Sequence, residues 1–280
     1  MTDIKVDINL LKELRAATGV GFNDCRNALI EANNDFDKAL EILKVKGGLS
    51  KAMSKVNNEA TEGVTKILID KNRAVIVELN CQTDFVANNL EFNNVVNQIA
   101  VTLLKSEVTT VADALALAIA KGQTVKDLIT NAITKLGENI VLKRFQILTK
   151  QDDEIFGSYV HTGAVSAGLT VLSGTQDQEV AKNIVMQLVA MKSKFIDVED
   201  IDELLRVKEL EIAKEQIKGV DKPQEILDKM VQGKVNKALA ELTITSQSFI
   251  KDPSVTIKQY LEKNNAKIKI MVRYEVGELG

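Results

Sequence analysis

The stretch Asn80-Cys81-Gln82-Thr83-Asp84-Phe85-Val86-Ala87 decides how the chain is organised, because it leads directly from a strand pattern into a helix pattern. Residues 74–79 before it form an apolar run rich in β-branched side chains, which is typical of a buried strand. After it, Phe92 opens an apolar stripe at helical spacing. Thr83 or Asp84 is therefore predicted to cap the helix, where a carboxylate also interacts favourably with the helix dipole.

The position of Phe85 allows two interpretations. Phe85 precedes Phe92 by seven residues, which is nearly two turns of helix, so this spacing favours a place for its ring on the buried stripe. The alternative is an aromatic ring held rigidly at the strand–helix corner and projecting from it. Rings of that kind often supply much of the binding energy at protein interfaces. Spacing by itself favours the buried position.

Strand and helix patterns alternate on both sides of this corner. Apolar runs at 64–69 and 74–79 predict a β-hairpin that turns at 70–73, and a strand pattern returns at 140–148. Between these strands, apolar spacing predicts three helices, over residues 92–103, 111–120 and 125–136, the last ending at Gly137. Together these elements predict an α+β unit with a small sheet.

The C-terminal part of the chain has the same mixture of elements. The patterns predict a strand pair at 155–161 and 164–172, a helix over 180–191, and a last strand at 268–276 with one buried face. Between 199 and 240, two charged helical patterns flank a turn at 219–223, and Pro223 suits a first helical position. This segment predicts an antiparallel helical hairpin inserted into the C-terminal part.

The N-terminal residues predict a bundle of three short helices. Asp7 is expected to cap the first helix, and glycines at 19 and 21 to separate it from the second. Gly47 and Gly48 are expected to end the third helix, and polar residues 50–62 to form a linker. The predicted fold class is therefore α+β. It comprises a helical domain (1–55) and two α+β subdomains with small sheets (56–145 and 146–280), with the hairpin inserted at about 199–240.

Composition argues against several classes of function. The chain has 280 residues and a formal net charge of −3, whereas proteins that bind nucleic acid directly usually carry a basic excess. No run of about eighteen apolar residues, the length that a membrane-spanning helix requires, is present. The two cysteines, Cys25 and Cys81, form no CxxC pair, which fits a reducing setting. Since no leader pattern is found, we expect a cytoplasmic protein of bacterial type.

The chain offers few groups for catalysis or ligand binding. His161 is the only histidine, which excludes a two-histidine metal site and leaves few nucleophile–histidine pairs. Its plainest interpretation is a polar residue at a strand end, and the alternative is a contact with a partner. Gly19 and Gly21 form a GxG without the third glycine of a dinucleotide loop, and no GxxxxGK[ST] occurs. Neither cofactor nor metal is expected, and an enzyme would need a site made of carboxylates alone.

Several unusual motifs in a fixed order resemble those of translation elongation factor Ts. The similarity extends over essentially the whole chain. Its blocks are LKELRAATGVGFNDC at 11–25 with 28–29 and 31–33, Thr83-Asp84-Phe85-Val86 within residues 80–87, Gly137-Glu138-Asn139-Ile140, Gly157-Ser158-Tyr159 with His161, and Arg273-Tyr274-Glu275-Val276-Gly277.

This resemblance implies a guanine-nucleotide exchange factor, not an enzyme. Such a factor binds elongation factor Tu in its GDP form and promotes GDP release by displacing elements of that partner's Mg²⁺ and phosphate site. The resemblance also implies that the N-terminal helices form a ubiquitin-associated-like domain and that the second subdomain docks on another domain of the partner. The helical hairpin is a possible site of self-association.

The resemblance further implies which residues contact elongation factor Tu. Near the partner's Mg²⁺ site it places Thr83, Asp84, Phe85 and Val86, which favours the projecting interpretation of Phe85. On the N-terminal domain it implies Leu14, Val20, Gly21 and Phe22, although Asn23 is polar where the family often has an apolar residue. His161 is implied near the partner's phosphate loop.

A different class of function is an interaction adaptor. In this alternative, residues 1–55 bind partners and the rest of the chain is a scaffold. It predicts no effect on nucleotide release by a partner, and loss of all binding when residues 1–55 are removed.

Overall fold

A computed structural model describes residues 6–18, 22–46, 59–120 and 122–278. Helices and small sheets form an α+β fold with helices at the N-terminus, which confirms the predicted class. The chain divides into two compact units: Met1–Leu148 with Thr162–Ser166 and Tyr274–Gly280, and Thr149–His161 with Ala167–Arg273. The domain boundaries derived from sequence, at 55/56 and 145/146, stay a prediction.

The N-terminal helices are α1 (Ile8–Thr18), α2 (Phe22–Glu31) and α3 (Phe36–Lys46). The predicted cap of α1 is confirmed, because Asp7 Oδ1 accepts hydrogen bonds from the N–H groups of Asn9 and Leu10. Ile8, the first residue of α1, is exposed. The glycines predicted to separate and end these helices lie outside the described residues. One apolar cluster joins the three helices through Leu11, Leu14, Cys25, Ala28, Leu29, Ala32, Ala39 and Leu43.

The first unit contains a three-stranded sheet in the order β1 (Glu62–Asp70), β2 (Arg73–Cys81), β3 (Val141–Thr149). The hairpin between β1 and β2 is antiparallel as predicted, and Asp70 pairs with Arg73 across its turn. Because β1 already begins at Glu62, the predicted linker ends earlier than residue 62, and most of it lies outside the described residues. Four helices accompany the sheet: α4 (Asp84–Ala87), α5 (Leu90–Leu104), α6 (Val111–Ala116) and α7 (Val125–Leu136).

The prediction for 111–120 is wrong in its second half, since α6 ends at Ala116. The following residues turn back to pair with the start of α7: the Ile119 N–H donates to the Gln123 carbonyl at 2.8 Å, and Val125 N–H to the Leu117 carbonyl at 2.9 Å. This pairing outweighs the helix preference of the alanines. The predicted end of α7 is confirmed, because Gly137 takes a left-handed conformation with φ of 79°.

The second unit contains another three-stranded sheet, in the order β4 (Ile155–Val160), β5 (Ser166–Ser173), β8 (Lys267–Glu275). Between β5 and β8 lie α8 (Gln178–Met191), the short pair β6 (Ser248–Phe249) and β7 (Asp252–Thr256), and α11 (Ile257–Lys263). The alternation predicted for β8 is confirmed at Ile268, Val272 and Tyr274, which are buried.

The predicted hairpin is present as α9 (Glu203–Gln216) and α10 (Gln224–Leu242). Val207 and Ile226 lie outside the buried seam of this hairpin, because they are 42% and 44% exposed. Pro223 precedes α10 as its N-cap with ψ of 144°, so the helix begins one residue later than predicted. The buried seam residues are Ala213, Val231, Val235 and Leu239.

Among the described residues, no helix is both long and apolar enough to cross a membrane.

A buried ion pair ties β2, β3 and the last described residues of the chain together within the first unit. The Glu78 side chain is fully buried, and its Oε2 accepts a hydrogen bond from Arg144 Nε at 2.6 Å. Glu78 Oε1 accepts from the Gly277 N–H at 3.3 Å. Arg144 also donates to the Glu275 carbonyl at 3.1 Å and lies 4.3 Å from the centre of the Tyr274 ring. The pair therefore holds the C-terminal segment on the first sheet.

We predict that Arg144→Met strongly destabilises the protein, because it leaves the Glu78 carboxylate buried without its counter-ion. Losing one partner of a buried pair costs about 3–5 kcal/mol in free energy of unfolding. The matched control is Lys135→Met, which removes the exposed pair between Lys135 and Glu91 and should cost less than about 1 kcal/mol. Urea denaturation followed by circular dichroism measures both. Equal, small losses would contradict a stabilising role for Arg144.

Candidate functional site

The corner between β2 and α5 consists of two consecutive helix starts. Thr83 caps α4, since its Oγ1 accepts a hydrogen bond from the Val86 N–H at 3.3 Å, so Thr83 and not Asp84 is the cap. Helix α4 has only four residues, and Asn89 then caps α5 by accepting from the Glu91 N–H at 2.8 Å. The chain thus changes direction twice within a few residues.

Phe85 projects from this corner with 84% of its surface exposed, whereas Phe92 is completely buried. The interpretation from spacing alone, which placed both rings on one stripe, is wrong. The seven-residue spacing assumes one continuous helix, but α4 ends at Ala87 and α5 starts anew at Leu90. The break shifts the helical phase between the two rings, and Phe85 is left on the outside.

The other residues of the motif divide into two kinds. Val86 and Ala87 are buried in the apolar cluster of the first unit, so they anchor α4 from beneath. Asp84, next to Phe85, is exposed. Leu90, at the start of α5, is 77% exposed and was missed by sequence reasoning. The sequence contains a signal for this exposure. Leu90 follows Asn89, a residue type that commonly caps helices, and precedes Phe92, where the buried apolar stripe begins.

The loop after α7 supports the corner from the side. Glu138 accepts hydrogen bonds from the Gln82 N–H at 3.2 Å, the Thr83 N–H at 3.0 Å and the Thr83 hydroxyl at 2.6 Å. Gln82 returns a contact, since its Oε1 accepts from the Asn139 N–H at 3.0 Å. In the sequence, Glu138 was named only as a member of the block at 137–140 that contributes to the family resemblance. Its contacts join residues more than fifty positions apart, which no local pattern could reveal.

Cys81 lies directly behind the corner and is not placed to act as a nucleophile. Its side chain is fully buried, and its thiol donates to the Thr83 carbonyl at 3.2 Å. Burial raises the pKa of the Cys81 thiol to about 12, and the nearby Glu138 carboxylate acts in the same direction. Because the thiolate is the reactive form, the Cys81 thiol is unreactive as a nucleophile at neutral pH.

His161 lies in the second unit, just after β4 ends at Val160, and is exposed. Its Nδ1 shares a hydrogen bond of 2.9 Å with the Tyr159 hydroxyl, which restrains the imidazole ring. Gly157 on the same strand allows α8 to approach closely. A Cβ atom there would lie 2.5 Å from the Ala181 carbonyl oxygen. The strand-end position predicted for His161 is confirmed, while its contact with a partner stays a prediction.

The predicted contact residues of the N-terminal domain differ in how exposed they are. Phe22, the first residue of α2, is 52% exposed. Leu14 is completely buried in the helical cluster, so it supports the bundle and offers no surface of its own. Val20 and Gly21 lie outside the described residues. Within the described ranges, no group of three or more His, Cys, Asp or Glu side chains is arranged to hold a metal ion.

These features define a class of protein. An exposed aromatic ring beside an exposed carboxylate, on a corner fixed by hydrogen bonds and a buried Val86, is typical of a surface that binds another protein.

Comparison with known families agrees with this class. The sequence model described as Elongation factor TS matches residues 82–278, and the chain belongs to this family. Its members are nucleotide-exchange factors for elongation factor Tu in translation elongation, and they act on that partner rather than as catalytic enzymes. The family that the sequence resembles is thereby confirmed over residues 82–278. The matched region begins at Gln82, inside the corner, and includes His161.

We predict that Cys81 resists thiol reagents in the folded protein. In a Cys25→Ala variant, where Cys81 is the only thiol, reaction with a disulfide reagent at pH 8 should be at least about a hundredfold slower than in urea. The folded pKa of about 12 exceeds the unfolded value of 9.0, so this thiol's contribution to stability is complete below pH 9 and declines toward pH 12. Rapid, stoichiometric modification of the native variant would contradict the placement of Cys81.

Proposed function

We propose that this chain binds elongation factor Tu carrying GDP and promotes GDP release through the corner formed by residues 82–90. Asp84 and Phe85 are the principal contacts, and the ring of Phe85 displaces elements that hold Mg²⁺ and the phosphates in the partner. The observation that carries the proposal is the 84% exposure of Phe85 on a corner whose backbone is fixed.

The energetics of Phe85 favour an interface role. Burying a phenylalanine side chain stabilises a protein by about 1.5–3 kcal/mol, and this fold leaves that contribution unused. The same free energy becomes available when the ring enters an apolar pocket of a partner. Leu90, also exposed at this corner, adds further apolar surface. The exposed side chains of the corner thus contribute more to binding than to folding.

Release of GDP then follows from thermodynamic linkage. If the factor lowers the partner's affinity for GDP, GDP lowers the partner's affinity for the factor by the same ratio. Mg²⁺ and backbone N–H groups offset the charge of bound phosphates, so small displacements of either weaken nucleotide binding strongly. The factor needs no reactive group of its own for this, which is consistent with the buried, protonated thiol of Cys81.

Further contacts complete the proposed complex. Phe22 contacts the partner from the N-terminal domain together with Val20 and Gly21, whereas Leu14 belongs to the buried cluster that supports this domain. His161, restrained by Tyr159, contacts the phosphate-loop side. The second subdomain docks on another domain of elongation factor Tu.

The proposal also covers self-association and the cellular setting. The hairpin is available for self-association, since five apolar side chains of α9, α10 and their turn are exposed: Leu204, Val207, Ile212, Val220 and Ile226. We place the activity in a cytoplasm of bacterial type, and direct contact with nucleic acid is not part of it.

We predict that Phe85→Ala lowers kcat/KM for factor-catalysed GDP release by about thirtyfold, the consequence of losing a side chain worth about 2 kcal/mol at an interface. The fold should be unaffected, because the ring contributes little to the core. Stopped-flow release of fluorescent GDP from purified elongation factor Tu, with and without each variant, measures the effect.

Ile69→Ala is the matched control for this measurement. Ile69 is an exposed apolar residue on β1 that pairs with Ala74, so it lies at the opposite end of the hairpin from the corner. This variant should release GDP at the wild-type rate. The proposal fails if Phe85→Ala and Ile69→Ala behave alike, or if the unaltered protein does not accelerate release. An adaptor would give the latter result and would lose all binding when residues 1–55 are removed.

A further inference from the structure

The orientation of α4 depends on one carboxylate from a distant part of the chain. The Oε2 atom of Glu138 accepts hydrogen bonds from two successive N–H groups, those of Gln82 and Thr83, at 3.2 and 3.0 Å. Its Oε1 atom accepts from the Thr83 hydroxyl at 2.6 Å. Successive backbone N–H groups that converge in this way form a concave site for an anion. Here the anion is a side chain of the protein itself.

The bond to the Thr83 hydroxyl has a directional consequence. A hydroxyl has one donor and two acceptor lone pairs. Because Thr83 donates its hydrogen to Glu138, the lone pairs of Oγ1 are left to accept from the Val86 N–H at 3.3 Å. Glu138 therefore selects the hydroxyl rotamer that caps α4. Glu138 thus orients the Thr83 hydroxyl, and Thr83 in turn caps α4. Phe85 lies in the sequence between Thr83 and Val86, the residue whose N–H is capped.

Glu138 is itself held in place on both sides. Gly137 ends α7 in a left-handed conformation with φ of 79°, which turns the chain toward the corner. Ile140 beyond it is 2% exposed, and Asn139 is 4% exposed and donates its N–H to Gln82 Oε1. Helix α7 is also joined to α5 by the ion pair between Lys135 and Glu91. These contacts of the flanking residues fix the position of the Glu138 carboxylate at the corner.

We propose that Glu138 is a positioning residue for nucleotide exchange, which acts through Thr83 to hold α4 and thereby aims Phe85 at the partner. This inference rests on the proposed function, and it assigns to Glu138 no contact with elongation factor Tu. A corner that is already ordered loses little conformational freedom on binding, whereas a loosened corner has to be ordered again in the complex. Bonds to an ionised carboxylate are also stronger than neutral ones, so they resist such loosening.

The test uses the full chain with Glu138→Ala, Glu138→Gln, Phe85→Ala and the double variant Phe85→Ala with Glu138→Ala. Glu138→Ala should lower kcat/KM for GDP release about tenfold, through the ordering cost at the corner. Glu138→Gln keeps a carbonyl acceptor for the backbone N–H groups, but its amide turns a donor toward the Thr83 hydroxyl. We expect Glu138→Gln to lie between the wild type and Glu138→Ala.

Asp127→Ala is the matched control. Asp127 Oδ2 accepts from the Thr124 N–H and hydroxyl at 2.9 and 2.7 Å, which repeats the contacts of Glu138 with Thr83. It does so at the N-terminus of the same helix α7, about 16 Å away along the helix axis. This variant should lose a comparable amount of stability without any change in GDP release. Unfolding midpoints of all variants establish that comparison.

The double variant decides whether Glu138 acts through Phe85. If it does, Glu138→Ala has a much smaller effect on GDP release once Phe85 is alanine, because only the contact of Asp84 is left to be disturbed, whereas independent effects multiply. Amide hydrogen exchange gives a second readout, because the N–H groups of Gln82 and Thr83 should exchange at least about tenfold faster in Glu138→Ala and unchanged in Asp127→Ala.

The possible outcomes separate the two proposals. Slow release in Glu138→Ala, a much smaller additional loss in the double variant and faster exchange at Gln82 and Thr83 support the positioning role. Multiplying effects, an equal loss in Asp127→Ala, or normal release in Glu138→Ala overturn it while the exchange function stands. A wild-type protein that does not accelerate GDP release overturns the function and the positioning role together.

Discussion

The carboxylate of Glu138 satisfies three donors at the end of β2, and the presentation of Phe85 depends on this interaction. A strand that ends at a helix start leaves N–H groups without strand partners. Here two of them converge on one oxygen, and the Thr83 hydroxyl joins them. The backbone of the corner is fixed by these bonds and by the buried Val86. An aromatic ring can therefore stay in water without collapsing onto its own core.

Stability and recognition are supplied by different parts of the first unit. The buried pair of Glu78 and Arg144 holds β2, β3 and the C-terminal segment together, and the aliphatic cluster around Phe92 fixes α5 on the sheet. Neither depends on the exposed residues of the corner. Asp84 and Phe85 are exposed and take no part in either of these interactions. A protein that acts by shifting a partner's equilibrium needs such a rigid, exposed surface more than it needs reactive groups.

Local patterns predicted the elements, and distant contacts decided the details. The hairpin before the corner, the end of α7 at Gly137 and the inserted helical pair follow from periodicity and capping, which act over a few residues. Spacing failed at Phe85, because it cannot show that one helix ends and another begins between two rings. It failed at 117–120 because backbone pairing with residues beyond a turn overrode helix preference. Glu138 as a support could not be found, since its partners lie more than fifty residues away.

A structure of the complex with GDP-free elongation factor Tu tests the central claim most directly, through the exposed fraction of Phe85 before and after binding. The ring is 84% exposed in the free protein. The account predicts that it becomes buried against the GTPase domain while Glu138 still holds Gln82 and Thr83. A complex in which the ring stays in solvent, or turns into this protein's own core, would contradict it.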